Sequence, residues 1–224
     1  MINRARRSAR SVAIPVERLI QDAARLGVAL SEEDAARLFT LLQELSTWNK
    51  GYNLTGITTP AAMVTHHLLD SLAIHPDLYG ARIADVGTGA GFPGLPLALC
   101  NPERQFTLID SKAKKIRFVS HAAHLLGLTN VTAVHSRAET LKVDEPFDTV
   151  VARAFAPLPQ MLASVAPLCG ENTRVLAMKG IWPAAELAAL PAAWRVTGSR
   201  ELTIPGLDAA RCLIVLAVAG RSSP

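Results

Sequence analysis

One segment constrains the fold of this 224-residue chain more than any other: residues 85–94, which read DVGTGAGFPG. It begins at the end of the apolar run Arg82–Val86 and opens a helical pattern. Glycines at alternate positions let a backbone turn sharply and approach a ligand closely. The segment therefore predicts a strand–turn–helix corner at the edge of an α/β sheet, where such sheets bind ligands.

Short apolar runs alternate with helical patterns along the rest of the chain. The candidate strands are residues 82–86, 105–109, 131–134, 149–152, 174–178, 195–202 and 212–219, and the main candidate helices are residues 112–126, 158–168 and 183–190. This alternation predicts a mostly parallel sheet with helices on both faces. The segment 203–210 is too short for a parallel crossover, so we expect the last two strands to form an antiparallel hairpin. A seven-stranded sheet of this kind is typical of a Rossmann-like class I methyltransferase.

The first 80 residues have a different character. Residues 16–80 carry helical patterns, with a capped start at Ser31 and Asp34 and a second start at Pro60, and predict a helical extension. Residues 81–220 form the predicted cofactor-binding core. Arginines at positions 4, 6, 7 and 10 precede the first acidic residue and account for the net charge of +4. We therefore expect residues 1–15 to be a disordered basic arm, either solvated or in weak contact with phosphates.

The second candidate strand leads into Asp110, about twenty residues after the glycines. A carboxylate at this place can accept hydrogen bonds from both ribose hydroxyls of an adenosine-containing cofactor. The run from Gly89 to Gly94 also fits the dinucleotide pattern G-x-G-x-x-G, a weak signal by itself. It keeps an NAD-dependent oxidoreductase as an alternative.

Other features favour S-adenosylmethionine over a dinucleotide. Asp85 stands two residues before Gly87, where its carboxylate can accept a hydrogen bond from the ammonium group of an amino acid. Pro93 and Pro96 remove two amide donors from the start of the next helix, which weakens it as a pyrophosphate cradle. The predicted hairpin points the same way. We therefore predict S-adenosylmethionine as the cofactor, with Gly89 allowing its close approach to the backbone.

Composition argues against several other classes of protein. No apolar run approaches the roughly 18–20 residues of a membrane-spanning helix, so we expect no membrane association. The three cysteines are far apart and are expected to be reduced, as in a cytoplasmic protein. His66, His67 and Asp70 form the one cluster of potential metal ligands, and no second cluster completes it, so we expect no metal. A monomer is expected by default.

Seven segments together resemble the small-subunit ribosomal RNA methyltransferase G family, also called glucose-inhibited division protein B. They are residues 48–55 (WNKGYNLT), 67–71 (HLLDS), 85–94 (DVGTGAGFPG), 108–111 (LIDS), 136–139 (SRAE), 153–156 (RAFA) and 178–180 (MKG). The combination is far more specific than any one segment. The resemblance extends from about Leu41 to Ala219 and leaves out the basic arm.

The resemblance implies methyl transfer from S-adenosylmethionine to N7 of guanine 527 in 16S rRNA of the small ribosomal subunit, in a bacterial cytoplasm. It places cofactor contacts at Gly87, Phe92, Ala138, Glu139 and Arg153. Guanine N7 carries no proton to remove, so we expect no general base and assign no catalytic residue. Arg153 is instead a candidate for positioning the reactants. A non-catalytic RNA-binding or ribosome-assembly module remains a further alternative.

Six side chains are candidates for contacts with RNA: Asn53, His67, Asp70, Lys114, Lys115 and Lys179. The first three precede the sheet, where they either line the mouth of the pocket or cap turns. The spacing of His67 and Asp70 suits a hydrogen bond between them. Lys114 and Lys115 belong to a positive run on the helix after Asp110. Lys179 closes the fifth strand, where it can meet phosphate or solvent.

Overall fold

A computed structural model describes residues 14–153 and 156–220 of the chain. The four arginines of the predicted basic arm lie outside these residues. The described chain contains a seven-stranded sheet. Its strands are β1 (Arg82–Val86), β2 (Gln105–Asp110), β3 (Val131–His135), β4 (Phe147–Arg153), β5 (Cys169–Lys179), β6 (Trp194–Glu201) and β7 (Cys212–Val218).

The strands follow the order β3-β2-β1-β4-β5-β7-β6 across the sheet. Neighbouring strands from β3 to β5 are parallel, whereas β7 is antiparallel to both β5 and β6. The predicted fold, a mostly parallel sheet with an antiparallel hairpin, is therefore confirmed. The hairpin enters the sheet through its second strand, since Val175 of β5 pairs with Leu216 of β7.

Helices cover the two faces of the sheet. Those that follow strands are α5 (Gly94–Leu99), α6 (Ala113–Leu125), α7 (Leu158–Val165) and α8 (Ala184–Ala188). Alternate residues of β1 illustrate the division: Ile83 belongs to an apolar cluster with α5 and α6, and Ala84 to a second cluster with α7. Successive side chains of a strand point to opposite faces, so apolar runs of this kind become buried on both sides.

Three longer helical stretches of the described chain precede the sheet, and two of them begin where the sequence predicts a start, at Ser31 and Pro60. The first is α1 (Val16–Arg25), and the second is α2 (Glu32–Tyr52), whose first turn is capped by the Ser31 hydroxyl accepting a hydrogen bond from the Asp34 amide at 3.0 Å. The third runs over residues 60–72: α3 (Pro60–Met63), a π-helical segment (Val64–Leu69) and α4 (Asp70–Leu72). We call it the 60–72 helix. Leucines of these helices share one buried cluster with α5 and α6, which fixes the helices against the sheet.

Candidate functional site

The glycine-rich turn leaves the carboxyl end of β1 and is tied to its neighbours by hydrogen bonds. Gly87 and Gly89 have φ angles of 71° and 63°, in the left-handed region that glycine adopts without strain. The amides of Gly87 and Thr88 donate to the Ile109 carbonyl of β2 at 2.8 and 3.0 Å. The turn is therefore held open beside the ends of two strands, where a ligand can approach its backbone.

Asp85 lies beneath this turn and organises it. Its Oδ2 accepts hydrogen bonds from the Thr88 hydroxyl at 2.6 Å and from the Gly94 amide at 2.8 Å. Oδ1 is buried and has no hydrogen-bond partner among the described residues. Burial raises the pKa of this carboxyl to about 6, although the two hydrogen bonds act in the opposite direction. Oδ1 thus keeps an unused acceptor, which suits the ammonium role predicted for Asp85.

Asp110 lies at the end of β2 and lines a cavity of about 340 Å³. Its Oδ2 accepts from the Gly89 amide at 3.0 Å and the Lys115 ammonium at 3.3 Å, while Oδ1 accepts from the Lys112 amide at 2.9 Å. Gly87 also lines this cavity, which has a volume typical of small-molecule sites. The predicted ribose-binding carboxylate is therefore at the ligand side of the sheet. We call this space the Asp110 cavity.

Ala138 and Glu139 complete the Asp110 cavity from the side of β3. They belong to a single turn of 3-10 helix, Ala138–Thr140. Ala138 is buried, whereas the Glu139 side chain is exposed and its Oε1 accepts a hydrogen bond from the Ser164 hydroxyl at 2.9 Å. Its own backbone amide and Ser164 lower the pKa of the Glu139 carboxyl, which favours the ionised form.

A second cavity, of about 390 Å³, lies at the ends of β4 and β5. Arg153 enters it from β4, and its Nη1 donates to Asp70 Oδ2 at 3.0 Å and to the His66 carbonyl at 2.9 Å. Arg211, directly before β7, donates from Nε to the other Asp70 oxygen at 3.1 Å. We call this space the Arg153 cavity. Its two guanidinium groups share one carboxylate, so the cluster carries a net positive charge.

His67 lines the Arg153 cavity beside this cluster. Its ring stacks on Phe92, with centroids 4.7 Å apart, and its Nε2 lies 3.0 Å from the Thr55 hydroxyl. The prediction of a hydrogen bond between His67 and Asp70 is wrong. Both Asp70 oxygens accept from arginines, and the His67 ring pairs with Thr55. Burial, followed by the charge of Arg153, lowers the pKa of His67 to about 4, so the ring is neutral at pH 7.

The other predicted RNA-binding side chains are dispersed. Asn53 is exposed and forms the left-handed C-cap of α2, with φ of 49°. Lys114 donates to the Tyr52 carbonyl at 2.7 Å, and Lys115 is the partner of Asp110 in the Asp110 cavity. Lys179 donates to the Ala156 carbonyl and to Glu186, both at 2.8 Å. The structure thus gives each of these lysines an internal partner.

Sequence reasoning missed Arg211 and the pairing of Thr55 with His67. Thr55 stands within the family-like segment 48–55, so its place in that segment was an available signal. Arg211 had no such signal, because it is 141 residues from Asp70 in the chain and meets it only through the insertion of β7.

The described residues fit the predicted cofactor. Asp110 offers carboxylate oxygens to a diol, Asp85 has a spare acceptor, and a left-handed glycine leaves room at the turn. Apart from its two neighbours in the chain, a Cβ added at Gly89 would meet its nearest atoms at 3.9 and 4.0 Å, which are ordinary van der Waals distances, so the turn is not crowded there. The same described residues contain no group of three potential metal ligands and no helix long and apolar enough to cross a membrane.

Comparisons with known proteins agree with this geometry. A model of the family described as rRNA small subunit methyltransferase G matches residues 34–215. The chain is 44% identical to the ribosomal RNA small subunit methyltransferase G of Saccharophagus degradans over 210 residues, which cover 93% of this chain and 94% of that protein. It is 46% identical to the protein of the same name from Aeromonas salmonicida over 188 residues, covering 84% and 90%.

A solved structure supports the fold independently. It is that of a SAM-dependent methyltransferase from Thiobacillus denitrificans in complex with S-adenosyl-L-homocysteine, with a TM-score of 0.51 at 12% identity, covering 71% of this chain and 97% of that one. The family model covers the glycine-rich turn, the residues that line both cavities, β6 and the first part of β7. The chain therefore belongs to the rRNA small subunit methyltransferase G family.

Proposed function

We propose that this protein transfers a methyl group from S-adenosylmethionine to N7 of guanine 527 in 16S rRNA. The activity of its family is methylation of small-subunit rRNA with S-adenosylmethionine as the methyl donor. The atom and the nucleotide are the proposal. The family resemblance is what supports the atom and the nucleotide. The structural observation that supports methyl transfer at this place is the pair of cavities at the carboxyl ends of the parallel strands, one lined by Asp110 and the other by Arg153.

The order of the strands explains why two cavities form there. The chain reverses its direction of travel across the sheet between β1 and β4, and ligands of open α/β sheets bind at this switch point. The glycine-rich turn leaves β1 there, and Arg153 ends β4 beside it. We assign the Asp110 cavity to the adenosine and the Arg153 cavity to the target guanine.

The bound cofactor supplies an activated methyl group on a sulfonium. Asp110 is assigned to the ribose, Asp85 Oδ1 to the ammonium group, and Ala138 and Glu139 to the adenine edge. Gly87 and Gly89 present backbone to the cofactor without a side chain in the way. The resemblance also gives Phe92 and Arg153 as cofactor contacts, and Phe92 is buried and stacks on the ring of His67.

No side chain in the Arg153 cavity needs to accept a proton. Guanine N7 has an available lone pair, so the residues have only to hold it in line with the methyl group. Asp70, the carboxylate that lines this cavity, has both oxygens engaged by arginines and serves to position them. Arg153 and Arg211 then offer donors to guanine O6 or to a phosphate of the RNA.

The direct test is methyl transfer from labelled S-adenosylmethionine. Small ribosomal subunits and naked 16S rRNA, both from cells that lack this modification, serve as acceptors, and the RNA is digested to nucleosides afterwards. The expected result is label in 7-methylguanosine at one site, which backbone cleavage at that nucleoside maps to position 527. Label in another nucleoside, or none while S-adenosylhomocysteine still binds, would overturn the proposal.

The same proposal includes expectations about cellular location, partner, oligomeric state and domain organisation. We expect the protein to act in the cytoplasm, where this substrate is made, with small-subunit rRNA as its partner and a monomer as the default state. We also propose that the chain divides into a basic arm (1–15), a helical extension (16–80) and a methyltransferase core (81–220). The more readily methylated acceptor in the test above identifies the assembly state of the substrate.

A further inference from the structure

The loop between β5 and α8 exposes two large apolar side chains in succession. Ile181 is 83% exposed and Trp182 is 48% exposed, whereas the following Pro183 is buried. Contiguous exposed apolar surface marks interaction sites, and Ile181 and Trp182 are the one adjacent pair among the exposed large apolar side chains of the described residues. The feature is therefore a surface that this protein presents to something else. We call residues 180–183 the Trp182 loop.

The Trp182 loop begins at the rim of the Arg153 cavity. Lys179 and Gly180, which lead into it, both line that cavity. A Cβ added at Gly180 would lie 4.0 Å from Nη1 of Arg211. The exposed indole is therefore two residues along the chain from the cavity assigned above to the target guanine.

Both ends of the loop are fixed. Before it, the Lys179 ammonium donates to the Ala156 carbonyl and to Glu186 Oε2, each at 2.8 Å. After it, the same Glu186 oxygen accepts from the Leu158 amide at 2.6 Å, and the Ala184 amide donates to the Trp182 carbonyl at 3.1 Å. Glu186 thus joins α7, α8 and β5. An indole held on an anchored loop loses little conformational entropy when it meets a flat partner.

We propose that Trp182 stacks on a nucleobase of the rRNA strand next to the target guanine. This inference rests on the proposed function. A base that enters an enzyme pocket leaves its own stack, and its neighbour then loses a stacking partner. Aromatic side chains replace such partners in single-stranded RNA recognition. The net positive cluster of Arg153, Arg211 and Asp70 beside the loop favours a polyanion over a basic or purely apolar partner.

The test compares substitutions at Trp182 with one at Tyr79. Tyr79 is also 48% exposed, but it precedes β1 at the opposite end of the sheet, where it lies under the Arg174 guanidinium. Trp182→Ala, Trp182→Phe, Trp182→Leu and Tyr79→Ala are each assayed for methyl transfer to unmodified small ribosomal subunits. Affinity for S-adenosylhomocysteine and the unfolding temperature are measured on the same samples.

We expect Trp182→Ala to raise KM for the subunits roughly tenfold, the size of one lost aromatic–base stack, with kcat and affinity for S-adenosylhomocysteine unchanged. Trp182→Phe should raise KM much less, because an aromatic ring remains. Tyr79→Ala should have the KM of the wild type. A wild-type KM for Trp182→Ala would overturn the inference. Full rescue by Trp182→Leu would also overturn it, in favour of an apolar protein surface. A wild-type enzyme that makes no 7-methylguanosine would instead reject the proposed function first.

Discussion

Arg153 donates a hydrogen bond of 3.0 Å to Asp70, and this contact joins the end of β4 to the 60–72 helix. The Asp70 side chain is 4% exposed and also receives Arg211 at 3.1 Å. One buried carboxylate therefore sets the position of two guanidinium groups that line the Arg153 cavity. The 60–72 helix thus helps to form the Arg153 cavity.

Replacing Asp70 should cost both stability and activity. In Asp70→Asn one acceptor becomes an amide donor that faces an arginine, so we expect a loss of roughly 2–4 kcal/mol in the free energy of unfolding, measured with urea. Methyl transfer should fall further, since Arg153 and Arg211 lose their common anchor. Asp77→Asn is the matched control, because it opens an ion pair with the more exposed Arg200 and should cost less than about 1 kcal/mol. Equal losses for the two variants would contradict this role of Asp70.

Asp85 should be separable into a folding role and a binding role. In Asp85→Asn the amide oxygen can still accept from Thr88 and Gly94, while the amide nitrogen replaces the unpartnered Oδ1. We expect affinity for S-adenosylhomocysteine to fall at least about tenfold at pH 8, because a charged hydrogen bond is lost. Calorimetric titration measures it. Unchanged affinity would restrict Asp85 to the turn.

The same variant should change how stability depends on pH. The pKa of Asp85 is raised from 3.8 to about 6 by burial, so the folded state holds this proton to a higher pH than the unfolded state. The contribution of the protonated Asp85 carboxyl to the free energy of unfolding is complete below pH 3.8 and is lost as the pH rises through 6. Relative to wild type, Asp85→Asn should therefore gain stability between pH 4 and 7, as thermal unfolding across that range can show.

His67 should give the opposite dependence. Its pKa falls from 6.5 to about 4 on folding, so the unfolded state binds more protons between these values. Stability is then lost as the pH falls from 6.5 towards 4, by up to about 3 kcal/mol. His67→Gln should remove this loss, whereas His124→Gln, at an exposed position of α6, should leave the pH profile of the wild type. Parallel profiles of stability against pH for wild type and His67→Gln would show that His67 is protonated as readily in the folded protein as in the unfolded chain.

The sequence could predict the sheet because its signal is local. A strand buried on both faces is a short apolar run, as Ile83 and Ala84 show by facing different clusters. Asp85 and Asp110 were predictable for a related reason. Each stands at the end of such a run, and the carboxyl ends of parallel strands meet at one edge of the sheet.

Contacts between distant segments could not be predicted in this way. The spacing of His67 and Asp70 suggested a local pair, but Arg153 at the end of β4 and Arg211 just before β7 bind both oxygens of the carboxylate. Lys179 similarly looked free to meet RNA, and only the folded chain brings Glu186 to it. The sequence locates a side chain at the end of a strand, whereas the residues that it contacts depend on the order of the strands in the sheet.

Two glycines of the turn should respond differently to alanine. At Gly89 the φ of +63° costs an alanine about 1–2 kcal/mol, but its Cβ would meet only Gly87 O at 3.9 Å and Lys115 Nζ at 4.0 Å. Gly89→Ala should therefore fold, and should lose affinity for S-adenosylhomocysteine because the methyl group projects where the cofactor approaches. At Gly94 the Cβ would lie 2.7 Å from both Asp85 Oδ2 and Leu108 Cγ.

Gly94→Ala should accordingly act on folding before it acts on binding. Backbone or buried side chains must move to admit the methyl group, because the space between α5 and the sheet is already filled. We expect this overpacking to lower the free energy of unfolding by about 3 kcal/mol. Urea unfolding and calorimetric titration of both variants separate the two effects. A large loss of stability for Gly89→Ala, or a native-like Gly94→Ala that fails only to bind, would contradict the assignment of Gly89 to the cofactor and Gly94 to packing.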